Sequence, residues 1–225
     1  MTIVKFPDPR LASPKGIVAL GGDLEPESLI LAYHQGIFPW PIQGLPLAWF
    51  CPPERAILEW EHLHKPRSLA RFERKKPFQF SLDRSFDQVI AECSKVPRPG
   101  QEGTWITKKM LVAYKRFHKL GHAHSIEVWR DGVLVGGLYG VDAKGVFVGE
   151  SMFHVEANAS KLAILFLMDY LHSRGSNWLD IQVMTPHMES LGARMVSRDE
   201  YLEKLAQEQA ARSFPLFSPT ITATA

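Results

Sequence analysis

The chain has 225 residues, of which 45% are hydrophobic and 22% are charged, and its formal net charge is +2. This composition is typical of a globular protein. The sequence has no apolar run of about 18 residues and no signal-peptide pattern, so we expect a cytoplasmic protein that does not enter a membrane. Two distant cysteines, Cys51 and Cys93, favour a reducing compartment and argue against a disulfide framework or a structural metal site.

Apolar periodicity and capping residues divide the first half of the chain into short elements. They predict, in chain order, a strand at 17–20, a helix at 26–35, strands at 55–60 and 78–82, a helix from 83 to about 94, a loop at 96–103 and a helix that follows Thr107. Residues 36–53 are crowded with proline and aromatic side chains, which prevents long regular structure. We place a boundary near Pro53, giving a small N-terminal domain at 1–53 and a larger domain at 54–225.

The stretch from Gly121 to Ser160 is the predicted centre of the fold. It predicts strands at 124–130, 133–141 and 146–153, and the pair Asp131-Gly132 suits a two-residue hairpin turn. There follow a nearly all-apolar helix at 160–174, a strand at 178–183, a helix at 197–212 and a disordered tail at 218–225. These elements predict an α+β fold with a mostly antiparallel central sheet and one central site.

Glycines interrupt the predicted strands of this central stretch at positions 136, 137, 140 and 149. A glycine inside a strand marks either a bulge or a place where a ligand or another backbone comes close. The sequence leaves both interpretations open.

A basic segment, residues 64–76, contains six cationic side chains and one acid, Glu73. The cations are Lys65, Arg67, Arg71, Arg74, Lys75 and Lys76. Such a cluster suits the neutralisation of nucleic-acid phosphates, although many charge runs are only solvated surfaces.

Three tryptophans, Trp40, Trp49 and Trp105, lie in predicted loops. A tryptophan held in a loop is a good stacking surface for an unpaired base, and the alternative is that it anchors the loop to the core. Because the chain also has the basic segment, we interpret two of the three as base-stacking residues.

Polar side chains on the last predicted strands form a further candidate site. Asp180 and Gln182 alternate with apolar residues, which predicts that both point to one face of the strand. A neighbouring carboxylate and amide can hold and polarise an amine that attacks an ester, and the alternative is a strand edge facing water. Glu150 ends a mostly apolar strand and needs a partner, either a cationic substrate or an internal arginine.

Motifs between residues 16 and 202 support a specific resemblance. They are GIVALGGDL (16–24), AYHQGIFPW (32–40), EGTWIT (102–107), LGHAHSIEVW (120–129), GESMF (149–153), NASK (158–161), DIQV (180–183) and SLGA (190–193). With these motifs in this order, the chain resembles the bacterial leucyl/phenylalanyl-tRNA–protein transferases. The resemblance implies a small N-terminal domain and a GNAT-like acyltransferase domain.

The resemblance also implies an activity and its partners. The family transfers Leu or Phe, and also Met, from aminoacyl-tRNA to the α-amino group of proteins with N-terminal Arg or Lys, which marks them for N-end-rule degradation. The partners are therefore aminoacyl-tRNA and such a protein or peptide. An aminoacyl ester is already activated, so we expect no cofactor and no metal.

Site residues follow from the same resemblance. Asp180 and Gln182 would orient and activate the attacking amine, and Trp40 and Trp105 would sandwich the terminal adenine of the tRNA. The pocket for the transferred side chain would be formed by Leu138, Phe147, Ile164, Leu167 and Leu171. The patterns described above, and not the resemblance, make Glu150 a further substrate-binding candidate and the six basic residues the tRNA-binding candidates. The family can carry Phe at the positions of Leu167 and Leu171, and Leu138 replaces a Met, so we expect a roomier pocket here.

Two other function classes are compatible with parts of the sequence. An acyl-CoA-dependent N-acetyltransferase would have a similar order of elements, but residues 156–160 lack a phosphate-binding loop rich in Gly and Arg. A non-catalytic RNA-binding protein would explain the basic segment and the tryptophans. It would leave Asp180, Gln182 and the apolar pocket without a role.

Overall fold

The computed structural model describes residues 2–97 and 104–217. The predicted disordered tail and most of the predicted loop at 96–103 lie outside these residues. The strands are β1 (Ile17–Leu20), β2 (Phe38–Trp40), β3 (Ala48–Phe50), β4 (Glu54–Glu59), β5 (Gln79–Leu82), β6 (Ala123–Arg130), β7 (Val133–Asp142), β8 (Phe147–His154), β9 (Trp178–Gln182) and β10 (Arg194–Ser197). The helices are α1 (Pro26–His34), α2 (Arg67–Glu73), α3 (Phe86–Cys93), α4 (Lys108–Lys119), α5 (Ala159–Ser173), α6 (Pro186–Glu189) and α7 (Arg198–Ala211).

The strands form two sheets. A small antiparallel sheet has the order β1-β3-β2, and a seven-stranded sheet has the order β10-β4-β9-β8-β7-β6-β5. All neighbours in the larger sheet are antiparallel except β8 and β9, which are parallel. The predicted α+β class with a small N-terminal domain and a mostly antiparallel sheet is therefore confirmed.

The predicted boundary near Pro53 stays a prediction. Strand β4 begins at Glu54 and belongs to the larger sheet. One apolar cluster nevertheless joins Phe6, Tyr33 and Trp49 to Tyr139 and Trp178, so the two parts of the chain share a core.

The parallel pair of strands creates an opening within the larger sheet. β8 and β9 are paired only at Phe147 with Leu179 and at Val148 with Asp180. Helix α5 connects these strands, as a parallel crossover requires. Beyond Val148, β8 continues beside β7 while β9 continues beside β4, so the two strands diverge. This divergence leaves space in the middle of the sheet.

Helices cover both faces of the larger sheet. Helix α5 is buried along most of its length and packs in one apolar cluster with Leu69 of α2, whereas α1, α3, α4 and α7 contribute to the other cluster. Neighbouring residues of β7 therefore lie in different clusters. Leu138 belongs to the cluster that contains α5, and Tyr139 belongs to the other. Within the described ranges, no helix is both long and apolar enough to cross a membrane.

The strand glycines fulfil both roles that the sequence left open. At Gly140 the register with β8 shifts, and a Cβ atom would lie 2.3 Å from the carbonyl oxygen of Val148, so this glycine marks a bulge with close backbone contact. Gly149 instead follows Val148, the last residue of β8 that pairs with β9, and lines the space between the diverging strands.

Candidate active site

The space between β8 and β9 is a cavity of about 300 Å³. This is near the lower end of the size range of small-molecule sites. Its lining residues are Trp40, Trp105, Leu138, Tyr139, Gly149, Glu150, Ser151, Met152, Ile164, Leu167, Leu179, Ile181, Gln182, Val183, Thr185 and Met188. It therefore has apolar walls from α5, β7 and α6 and a polar end at Glu150 and Gln182.

Seven of the predicted site residues line this cavity, namely Trp40, Trp105, Leu138, Glu150, Ile164, Leu167 and Gln182. Phe147 and Leu171 do not line it, and both are fully buried in the apolar cluster around α5. Asp180 is also fully buried and does not line it.

The six basic residues lie on the outside of the protein. All six are exposed, on or beside helix α2, which is anchored by the buried Leu69. Lys65 pairs with Glu73 at 2.7 Å, a contact between two partly exposed groups. The cluster is thus a surface that a charged partner can reach, separate from the cavity lining.

The two cavity tryptophans stack on each other. The ring centroids of Trp40 and Trp105 are 5.3 Å apart and their planes are inclined by 13°. A base between them needs about 6.8 Å between the flanking planes, twice the roughly 3.4 Å of one base step. The indoles must therefore separate before a base enters between them.

Trp49, the third candidate for base stacking, belongs to the core. Its side chain is fully buried, its Nε1 donates to the carbonyl oxygen of Gly21 at 2.9 Å, and it packs edge-on against Phe6. It anchors the N-terminal sheet.

Glu150 is buried among hydroxyl and amide groups. The hydroxyl of Tyr33 donates to Glu150 Oε1 at 2.8 Å, and Gln182 Nε2 donates to the same oxygen at 2.7 Å. The hydroxyl of Tyr114 is 3.4 Å from Oε2 and also contacts the hydroxyl of Tyr33. Burial raises the pKa of Glu150 to about 7, although the hydrogen bonds from Tyr33 and Gln182 and the charge of Arg55 oppose the rise. Among the described residues no arginine hydrogen-bonds Glu150, so the expected internal arginine is not its partner, and the cationic substrate stays a prediction.

Both carboxylate oxygens of Asp180 accept hydrogen bonds from protein side chains. Arg55 Nε and Nη2 donate to its two carboxylate oxygens at 2.9 and 2.7 Å, and the hydroxyl of Tyr201 donates to Oδ2 at 2.8 Å. Burial alone would lower the pKa of Arg55, but Asp180 and Tyr201 raise it above its usual value. The alternative of a strand edge facing water is therefore excluded, and Asp180 lies behind the cavity wall.

The expected alternation of Asp180 and Gln182 is broken. Gln182 pairs with Ala56 and Asp180 with Ile57, so Ile181 is an extra residue, a bulge, in β9. Gln182 has a positive φ of 61°, and Val183 N–H donates to the carbonyl oxygen of Ile181 at 2.7 Å, which closes a tight turn. The backbone N–H of Gln182 donates to Asp180 Oδ1 at 2.8 Å. Gln182 consequently lines the cavity while Asp180 holds its backbone.

The sequence interpretation missed four residues of this network: Arg55, Tyr33, Tyr114 and Tyr201. Arg55 had a usable signal, because a charged residue at the start of an apolar strand needs a buried partner. Tyr114 lies on the apolar face of α4, which made its burial predictable but not the contact of its hydroxyl. Which groups Arg55 and Tyr114 bond to could not be predicted, because these contacts join distant parts of the chain.

A metal site is not favoured at the one group of possible ligands that the described residues bring together, Glu59, Glu61 and His62. Arg194 and Lys204 already pair with the two oxygens of Glu59, at 2.7 and 2.9 Å. These two cations oppose a metal ion there, and none of the three possible ligands lines the cavity.

The diverging parallel pair of strands and the apolar cavity that ends at a buried carboxyl and amide form a site for a small apolar group beside hydrogen-bonding side chains. A family model described as leucyl/phenylalanyl-tRNA protein transferase matches residues 57–206, and a model of the N-terminal domain of the same family matches residues 22–53. The chain belongs to the leucyl/phenylalanyl-tRNA–protein transferase family and is an aminoacyltransferase. The resemblance drawn from the motifs is confirmed.

Relatives with that name are similar over most of their length. The protein from Shewanella sp. (strain W3-18-1) is 46% identical over 212 residues, which cover 93% of this chain and 89% of the relative. The protein from Anaeromyxobacter dehalogenans (strain 2CP-C) is 48% identical over 202 residues, which cover 90% and 87%.

Solved structures are more distant. L-PGS from Bacillus licheniformis aligns with a TM-score of 0.40 and 13% identity, covering 71% of this chain and 51% of that one. A ribosomal-protein-alanine N-acetyltransferase from Brucella melitensis biovar Abortus 2308 aligns with a TM-score of 0.29 and 17% identity, covering 44% and 74%.

Proposed function

We propose that this protein transfers Leu, Phe or Met from aminoacyl-tRNA to the α-amino group of proteins that begin with Arg or Lys. The reaction takes place in the cytoplasm, where aminoacyl-tRNA is available, and marks the acceptor for N-end-rule degradation. The observation that carries the proposal is one cavity that combines an aromatic pair, an apolar wall and a buried amide. Family membership supports the donor and the reaction type.

Two parts of the donor, its terminal adenine and its aminoacyl side chain, occupy the cavity. Its terminal adenine enters between Trp40 and Trp105 after the indoles separate, and its aminoacyl side chain contacts Leu138, Ile164 and Leu167. Phe147 and Leu171 support this wall from behind, because neither reaches the cavity surface. The exposed basic residues around α2 contact tRNA phosphates at a distance from the reaction centre.

The chemistry is the attack of an amine on an ester. The neutral α-amine bonds to the ester carbonyl carbon, the tRNA hydroxyl leaves, and one proton passes overall from the amine nitrogen to the departing oxygen. The amine has an ordinary pKa of about 7.7–8.0, so a useful fraction is neutral near pH 7. Since the ester is activated, holding the two reactants together can supply most of the acceleration. No cofactor or metal is needed.

We assign to Gln182 the role of binding the attacking amine. An amide is a poor base, but its carbonyl oxygen can accept a hydrogen bond that aligns the amine lone pair with the ester. Asp180 is a positioning residue, because it bonds the backbone N–H of Gln182 and does not line the cavity.

The test uses the purified protein with an Arg-starting peptide and either labelled Leu-tRNA or labelled acetyl-CoA. We expect the peptide to be labelled from Leu-tRNA only, and the same peptide with an acetylated N-terminus to remain unlabelled. Labelling from acetyl-CoA would support an N-acetyltransferase. Binding of Leu-tRNA without transfer would support a non-catalytic RNA-binding protein.

A further inference from the structure

The side-chain amide of Gln182 has a defined orientation in the network around Glu150. Gln182 Nε2 donates to Glu150 Oε1 at 2.7 Å, and the hydroxyl of Tyr33 donates to the same oxygen. An ionised carboxylate only accepts hydrogen bonds, so it can bond the NH₂ end of the amide and not the carbonyl end. With the NH₂ group turned to Glu150, the carbonyl oxygen is the amide atom available to the cavity.

The opposite orientation would be unproductive. A protonated Glu150 could donate to the carbonyl oxygen of Gln182, which would turn the NH₂ group toward the cavity. An NH₂ group there cannot accept a hydrogen bond from the acceptor amine. It would instead donate to the nitrogen lone pair that has to attack the ester, which lowers the nucleophilicity of the amine.

We propose that the Glu150 carboxylate is a positioning group that holds the Gln182 side chain with its carbonyl oxygen toward the acceptor amine. The two tyrosines support it, since Tyr33 and Tyr114 approach different oxygens of Glu150 and contact each other. This inference rests on the proposed function, because it concerns the same acceptor amine.

The arrangement responds to pH. The charged and titratable groups that face Glu150 are Tyr33 of α1, Tyr114 of α4, Asp180 of β9 and Arg55 of β4. Burial is the largest influence and Asp180 acts in the same direction, so the pKa of Glu150 is raised to about 7 despite Tyr33, Gln182 and Arg55. The productive orientation of Gln182 is therefore populated above about pH 7 and lost below it.

The first experiment is a double-mutant cycle on the full-length protein, with Glu150→Gln, Gln182→Ala and the double variant. Transfer from Leu-tRNA to an Arg-starting peptide gives kcat/KM for the peptide. A glutamine at 150 can bond either end of the Gln182 amide, so we expect a loss of about tenfold to a hundredfold, the factor expected from losing a hydrogen bond to a charged group. In the Gln182→Ala background, Glu150→Gln should cause no further loss.

Multiplied losses in the double variant would overturn the inference, because Glu150 would then act independently of Gln182. Glu92→Gln, which changes a Glu paired with Lys95 on the surface of α3, is the matched control and should retain full activity. If the wild-type protein itself shows no transfer, the proposed function fails, which is a distinct result.

The second experiment is a pH profile that does not require a variant at Glu150. The rate is divided by the neutral fraction of the peptide amine, titrated separately, and the corrected wild-type rate should rise through about pH 7. Tyr33→Phe removes a hydrogen bond that lowers the pKa of Glu150, so it should move this midpoint to higher pH. An unmoved midpoint in Tyr33→Phe, or a flat corrected profile in the wild type, would overturn the inference.

Discussion

Arg55 and Asp180 are 125 residues apart in the chain and form a fully buried pair, with the guanidinium Nε and Nη2 donating to the carboxylate oxygens at 2.9 and 2.7 Å. The guanidinium also lies 4.6 Å from the ring centroid of Phe38 in the N-terminal sheet and 4.5 Å from that of Tyr201 in α7. This one side chain therefore connects the small sheet, the larger sheet and α7 directly behind the cavity wall formed by Gln182.

Loss of this pair should destabilise the whole fold. Arg55→Met keeps the length of the side chain but leaves the carboxylate of Asp180 buried and uncompensated. We expect the free energy of unfolding to fall by about 3–5 kcal/mol in urea denaturation. Arg10→Met is the matched control, because the pair of Arg10 with Asp199 is largely exposed and should contribute about 1 kcal/mol or less. Similar losses for the two variants would contradict the prediction.

The raised pKa of Glu150 predicts how stability changes with pH. Its folded-state pKa of about 7 exceeds its ordinary value of 4.5, so the folded state binds this proton more tightly than the unfolded state does. The corresponding stabilisation is complete below about pH 4.5 and is lost as pH rises through about 7. Glu150→Gln removes this dependence, so its stability relative to wild type should increase by roughly 2–3 kcal/mol between pH 5 and pH 8. A difference that stays constant over this range would show that Glu150 does not titrate there.

The tryptophan pair can be tested with one truncation. Trp105→Ala should weaken the use of aminoacyl-tRNA by about 1–3 kcal/mol, the contribution of one stacked base, measured as kcat/KM for the donor. Trp60→Ala is the control, because Trp60 stacks on His172 with a centroid distance of 4.2 Å and does not line the cavity. An unchanged rate in a folded Trp105→Ala variant would reject base stacking at this position.

The basic segment should act on whole tRNA only. Changing Arg71, Arg74, Lys75 and Lys76 to Gln should weaken binding of Leu-tRNA and reduce the slope of log affinity against log salt, by about 0.7–0.9 for each phosphate that is no longer neutralised. A minimal aminoacyl-adenosine donor should be used nearly as well as by the wild type. The combined change of Lys5, Lys15, Lys95 and Lys119 to Gln removes the same four charges at exposed lysines elsewhere and controls for net charge. Equal losses with both donors would indicate an effect on folding or on the reaction centre.

Selectivity for the transferred side chain should depend on Leu167. Leu167→Phe fills part of the 300 Å³ cavity and should shift the competition between Leu-tRNA and Phe-tRNA toward Leu. The expected discrimination is modest, since one methylene in an apolar pocket contributes roughly 1–3 kcal/mol. Leu171→Phe is the comparison, because Leu171 does not line the cavity and should affect stability more than the ratio. A ratio that does not move in Leu167→Phe would remove Leu167 from the pocket.

The sequence by itself determined the local elements and the family. The pair Asp131-Gly132 forms the predicted turn, with positive φ values of 51° and 78°, because a two-residue hairpin requires this conformation and these residues adopt it readily. The apolar stretch predicted at 160–174 is the buried helix α5, Ala159–Ser173, because a helix without a polar face must be covered on all sides. These features depend on neighbouring residues, so the local sequence contains enough information to predict them.

Only the tertiary structure decided which side chains of the site reach the cavity. Leu167 and Leu171 are four residues apart and lie on the same face of α5, but they are separated by about 6 Å along the helix axis, and only Leu167 reaches the cavity. Likewise, strand periodicity placed Asp180 and Gln182 on one face, whereas the bulge at Ile181 turns Gln182 into the cavity and leaves Asp180 with Arg55. Helical and strand periodicity predict the direction of a side chain, but position along the axis, bulges and ion pairs depend on contacts that form only when distant segments pack together.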